Sequence, residues 1–223
     1  MPLRPELTRS DAMRNSERIL AAARAVFARS GLDASLDGVA REAGVGVATV
    51  YRRFADKEAL IDALFETKIG AIVALAEEGV AHPDPWQGVC RFVMGAGSEL
   101  AADRGLMTIV LSAAHGRVAT ERARNRIGPA VAKLVARGID SGVLRPEMTT
   151  ADFPMMQILL AGVIDASREV APQLWRRYAT LILDAIRADG VPRPPLEEPA
   201  LRMDDVDAVM HCWQPGRRPG AEP

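Results

Sequence analysis

Thr49, Tyr51, Arg52 and Arg53 lie within one short stretch, and Lys57 follows a helical turn later. A hydroxyl, a phenol and three cations do not make a bond-breaking centre. They do match what a nucleic-acid duplex offers, phosphate oxygens and base edges. Helical spacing sorts the stretch into two faces. Val47, Val50 and Phe54 share one face and require a core. Ala48, Thr49, Arg52 and Arg53 form the other, which is small, hydroxylated and cationic and suits a helix lying in a DNA major groove. Thr49 and Arg52 are the residues placed for base-edge contact. Lys57 falls in the first turn of a further helix whose N-cap is Asp56. The helix dipole disfavours a cation there, and a nearby phosphate would offset the penalty. A solvated surface lysine is the plainer alternative.

The surrounding elements must hold this face in place. Ser35 to Ala43 reads as a short helix with Leu36, Val39, Ala40 and Ala43 inward and Ser35 as N-cap. Gly44 and Gly46 supply a tight turn into the helix over Val47 to Arg53, which completes a helix-turn-helix unit. Upstream, a helix starting between Ser10 and Ser16 and stopping at Gly31 carries the stripe Ile19, Leu20, Ala23, Val26 and Phe27. That stripe packs behind the two short helices. Residues 1–14, with Arg4, Arg9 and Arg14, read as a flexible basic arm or as a frayed terminus.

The chain has 223 residues, few aromatics and much Ala, Leu, Val and Arg, which favours an all-α protein with a small head and a larger body. Residues 1–57 hold ten Lys/Arg against seven Asp/Glu, and the remainder eighteen against twenty-two. A basic head on an acidic body confines nucleic-acid contact to one end. The absence of a bilayer-length apolar run and of a signal peptide's apolar core points to a cytoplasmic protein without membrane contact. Cys90 and Cys212 stand alone, so no disulfide framework or zinc site is expected, and no cofactor is required. His82, His115 and His211 have no metal-binding spacing. Gly44-Val45-Gly46 lacks the third glycine of a dinucleotide fingerprint and follows a helix. The expectation is a protein that is not an enzyme.

The domain reading is a head over 1–57, a helical body over 58–190 and a Pro-rich, poorly ordered tail over 191–223. A long helix begins at Asp56–Lys57 and ends near His82-Pro83. Further helices are expected from Trp86 to about Ala102, Leu106 to His115, Thr120 to Asp140, Thr150 to Ser167 and Pro172 to Ala188. Pro129 should kink or break the third of these. Met203 to His211 could add one more short helix. Trp86, Phe92, Met94, Met107, His115, Met155, Met156 and Gln157 could line an apolar cavity for a small molecule, although Met and aromatic residues at such spacing also make ordinary core. Wide apolar stripes through Leu159, Leu160 and Val163, and through Trp175, Tyr178 and Leu181, point to a homodimer built over about 150–188.

The head resembles the TetR family of transcriptional regulators. The resemblance is carried by Ile19-Leu20-Ala21-Ala22-Ala23, Phe27, Gly31, Leu36-Asp37-Gly38-Val39-Ala40, Ala43-Gly44-Val45, Thr49-Val50-Tyr51-Arg52-Arg53-Phe54 and Lys57-Glu58-Ala59-Leu60. In the body, Trp86 and Trp175-Arg176-Arg177-Tyr178 resemble one subgroup. The resemblance implies phosphate contacts by Tyr51 and Arg53, and by Ser35 beside its capping role. The Tyr51 ring could instead complete the head's core. It also places Val47 and Ala48 among the DNA-facing positions. Gly46 departs from a position where serine often caps, and Val47 from one where a polar or basic residue is frequent. The resemblance further implies dimerisation by the last two helices and repression at a palindromic double-stranded DNA operator, relieved by a small apolar effector in the C-terminal domain. The alternatives are a regulator without a ligand, and a ligand-binding or enzymatic helical dimer whose head no longer binds DNA.

Overall fold

A computed structural model describes residues 9–30, 34–102, 116–191 and 194–212. Its regular elements are helices, and the chain divides into two compact units after Glu66. The first unit contains α1 (Arg9–Ser30), α2 (Leu36–Ala43) and α3 (Val47–Arg53). The division falls inside α4 (Lys57–Ala81). The second unit continues through α5 (Pro85–Ala102), α6 (Gly116–Asp140), α7 (Asp152–Ser167), α8 (Trp175–Ile186) and α9 (Met203–Cys212). The expected helix over Leu106 to His115 lies outside the described residues.

In the first unit, Ile19, Ala23, Val26 and Phe27 of α1 are buried, as are Leu36, Val39, Ala40 and Ala43 of α2. Fixed caps set the helix ends. The Ser35 hydroxyl accepts from the Gly38 N–H at 3.2 Å. Gly44 ends α2 at φ 62°, a left-handed conformation that costs glycine nothing. Asp56 Oδ1 accepts from the Ala59 N–H at 2.7 Å and so caps α4. Two sequence expectations change at the N-terminus. Helix α1 already runs from Arg9, so Arg9 and Arg14 are helical rather than part of a loose arm. Ser16 is no cap; it sits inside α1 and is buried.

In the second unit, Phe92 and Val93 of α5, Val131 and Leu134 of α6, Phe153 and Met156 of α7 and Leu183 and Ile186 of α8 share one core. A neighbouring cluster gathers Leu100, Leu160, Ile164, Trp175 and Ala179. The turn from α4 to α5 is held by backbone proximity. A Cβ placed on Gly88 would lie 2.2 Å from the Gly79 carbonyl oxygen, so glycine is required for the approach. Arg137 of α6 closes the end of α4, with Nη1 donating to the carbonyls of Val80 (2.6 Å) and Gly79 (3.2 Å). Helix α6 starts at Gly116, before the expected Thr120, and runs unbroken through Pro129. Proline removes the N–H that would serve the Asn125 carbonyl. Asn125 is exposed, so water can serve that group in place of the helix. Helix α8 is shorter than expected at both ends, since Pro172 to Leu174 form a turn and Arg187 leaves in extended conformation. There Leu144 and Arg187 make an isolated antiparallel bridge. The 191–223 segment contains one described helix, α9. Within it α9 packs on α6 and α7 and buries Val206.

Candidate nucleic-acid interface

Helix α3 has one anchored side and one open side. Val50 is fully buried and Phe54, its C-cap, is 5% exposed, so these two fasten the helix to the head. Val47, expected beside them in the core, is 38% exposed. It is the first residue of a short helix, one turn before the buried Val50. Gly46 is the N-cap and contributes no side-chain hydrogen bond; its carbonyl accepts from the Thr49 N–H at 2.8 Å. The open side therefore comprises Val47, Ala48, Tyr51, Arg52 and Arg53, all exposed, with Thr49 half-buried. Ser35 is exposed at the start of α2, and Lys57 is half-buried at the start of α4.

The arginines are not equivalent. Arg52 Nε donates to the Ala48 carbonyl of its own helix at 3.2 Å. Arg53 Nε donates to the Ser16 hydroxyl of α1 at 3.0 Å, and its guanidinium lies 5.6 Å from the Phe54 ring centroid. Arg18, also on α1, donates through Nη2 to the Ala43 carbonyl at 2.8 Å, beside the turn between α2 and α3. The sequence offers Ser16 only as a helix start and does not single out Arg18, because both roles depend on contacts more than twenty residues away. Tyr51 is 52% exposed, so its ring does not complete the core, and its hydroxyl is available on the same side as the arginines. The set combines cations, hydroxyls and small side chains on one short helix, which permits close approach to a polyanion.

Of the residues proposed from sequence as cavity lining, four lie in or against one core of the body. Phe92 and Met156 are buried in the body's core, and the Phe92 ring packs on Phe153 at 5.5 Å between centroids. Trp86 and Met94 are half-buried against that core, and the Arg187 guanidinium lies 4.9 Å over the Trp86 ring. Met155 and Gln157 are half-buried on α7. Met107 and His115 lie outside the described residues. A groove of about 270 Å³ does occur in the body, between α4 and α6. Val73, Glu77, Val80, Ala81, Arg126, Pro129, Ala130 and Lys133 line it, and none of these was expected from the sequence. No group of His, Cys, Asp and Glu suited to a metal occurs among the described residues, and no described helix is long and apolar enough to cross a membrane.

The model of a family described as bacterial regulatory proteins, tetR family, matches residues 19–64, which span most of α1, all of α2 and α3 and the start of α4. A TetR transcription regulatory protein from Mycobacterium vanbaalenii is 29% identical, with a TM-score of 0.61 over 80% of this chain and 98% of that one. A TetR transcriptional regulator from Streptomyces coelicolor is 28% identical, with a TM-score of 0.61 over 78% of this chain and 99% of that one. SmeT, the repressor of a multidrug efflux pump of Stenotrophomonas maltophilia, shares the fold at 23% identity and a TM-score of 0.60, over 84% of this chain and 97% of its own. No curated protein matches the chain. The family match falls on the helices that carry the cationic side, and the structural likeness extends through the body. Residues 19–64 thus form a helix-turn-helix head of the tetR regulatory-protein type, and the fold of the chain is that of TetR transcriptional regulators, which supports a DNA-binding regulator.

Proposed function

We propose that the protein is a homodimeric repressor that binds a palindromic operator and leaves it when a small apolar molecule occupies the body. The observation that carries the DNA part is the division of α3, with Val50 and Phe54 buried and Ala48, Tyr51, Arg52 and Arg53 presented outward. In this reading α3 enters the major groove. Thr49 and Arg52 meet base edges, with Val47 and Ala48 allowing close approach. Ser35, Tyr51, Arg53 and Lys57 meet phosphates, which supply most of the affinity. Gly46 and Val47 offer no side-chain hydrogen bond, so base discrimination falls to fewer residues.

Support for a dimer comes from apolar side chains that one chain leaves in water. Leu159 is 61% exposed on α7, and Leu181 (51%) and Tyr178 (42%) are exposed on α8. Met155, Leu159, Gly162 and Ala166 recur at helical spacing on α7, as do Tyr178, Leu181 and Ala185 on α8. Two such stripes per chain pair into a four-helix interface about a twofold axis. SmeT is a repressor of the same fold, which agrees with the sign of regulation proposed. An effector that favours a dimer with a different head spacing would cost binding at both half-sites together.

Selection of genomic fragments by the purified full-length protein tests this reading. The expected product is an inverted repeat whose half-site centres lie about one helical turn, or a multiple of it, apart. Recovery of no common motif, or of single unpaired half-sites, would contradict it.

A further inference from the structure

We infer that Ser16 is a positioning residue for DNA binding, acting through Arg53. This rests on the reading of Arg53 as a phosphate ligand and adds what holds it. Ser16 lies inside α1 and is only 9% exposed. It takes no part in capping, and its hydroxyl sits 3.0 Å from Arg53 Nε. The Phe54 ring, itself buried, lies 5.6 Å from the same guanidinium. Arg53 is therefore held at two places, by α1 through Nε and by the end of α3 through the ring.

Two consequences follow from the chemistry of the group. With Nε committed to Ser16, a phosphate is met by the Nη1 and Nη2 end of the fork. A side chain already fixed loses less rotamer freedom when it meets that phosphate, so the contact is stronger than one made by an arginine free in solvent. The tether also holds Arg53 beside α1, which gives it to the DNA backbone and leaves base reading to Arg52. A serine inside a helix is otherwise weakly unfavourable relative to alanine, so Ser16→Ala should leave α1 intact or strengthen it.

The test is a double-mutant cycle on operator affinity with the full-length protein, comparing wild type, Ser16→Ala, Arg53→Ala and the double variant at several salt concentrations. Melting curves accompany each. Ser16→Ala is expected to weaken binding about five- to tenfold without lowering Tm. Arg53→Ala should weaken it further and reduce the slope of log K against log salt by about 2 per dimer. The double variant should match Arg53→Ala alone, and Ser16→Thr should restore wild-type affinity and slope. Additive losses in the cycle would overturn the inference, because Ser16 would then act by another route. So would unchanged binding by Ser16→Ala. If Ser16→Ala is silent while Arg53→Ala still weakens binding, the phosphate role of Arg53 survives without the tether. If Arg53→Ala is also silent, that role fails together with the inference.

Discussion

Arg52 and Arg53 are adjacent and carry the same charge, yet their surroundings separate them. Arg52 Nε donates along its own helix, to the Ala48 carbonyl, in an exposed setting where such a bond contributes little. Its guanidinium can therefore leave the helix and reach a base edge at small cost. Arg52→Ala should weaken operator binding by about tenfold or more and relax discrimination at one base pair per half-site, as read by anisotropy with single-base operator variants. Cys90 shows the opposite case, a reactive group type in an unreactive place. Burial raises its thiol above the usual range, and nearby Arg187 offsets this only in part. The thiolate is the reactive form, so Cys90 should alkylate at neutral pH more slowly than a free thiol. A Cys212→Ser variant would isolate that rate; modification as fast as in the unfolded chain would contradict the assignment.

The helix ends of the head are largely legible in the sequence because they depend on local chemistry. Ser35, Gly44 and Asp56 each act within a few residues of their own position, and each has the side chain or backbone freedom its place demands. Asp56→Ala should lower stability by about 1 kcal/mol through loss of the α4 cap, measurable by denaturant titration. Features that depend on distant packing were not legible. Val47 follows the apolar spacing of Val50 and Phe54 but is exposed, because spacing gives a face and not the extent of its cover. Phe92 and Met156 are of types that line cavities or fill cores, and only their neighbours show that both are buried in the core of the body. The approach of Gly79 to Gly88 across the α4–α5 turn has no sequence signal beyond two glycines nine residues apart. Gly88→Ala would force that turn open against backbone. It should destabilise the body by about 1–3 kcal/mol, with a lowered denaturant midpoint as the readout.

At the scale of the whole molecule, the proposed function depends on two heads acting together. One α3 offers few base contacts, and Gly46 and Val47 reduce their number further. In the proposed function selectivity comes from two half-sites bound at once, which would tie DNA recognition to the stripes on α7 and α8. Leu159→Asp combined with Leu181→Asp changes side chains that are exposed in one chain. Helical content should survive, while sedimentation shifts from dimer to monomer and operator affinity falls by about 100-fold or more. A persistent dimer would move the interface elsewhere. The central claim, that the cationic side of α3 binds DNA selectively, has a more direct test. Binding of the full-length protein to DNA flanking its own coding region would be measured at two salt concentrations, beside Arg52→Ala and an unrelated duplex of equal length. The prediction is tight, salt-sensitive binding to one flanking segment that exceeds the unrelated duplex and weakens in Arg52→Ala. Equal affinity for both duplexes, unchanged by Arg52→Ala, would contradict it.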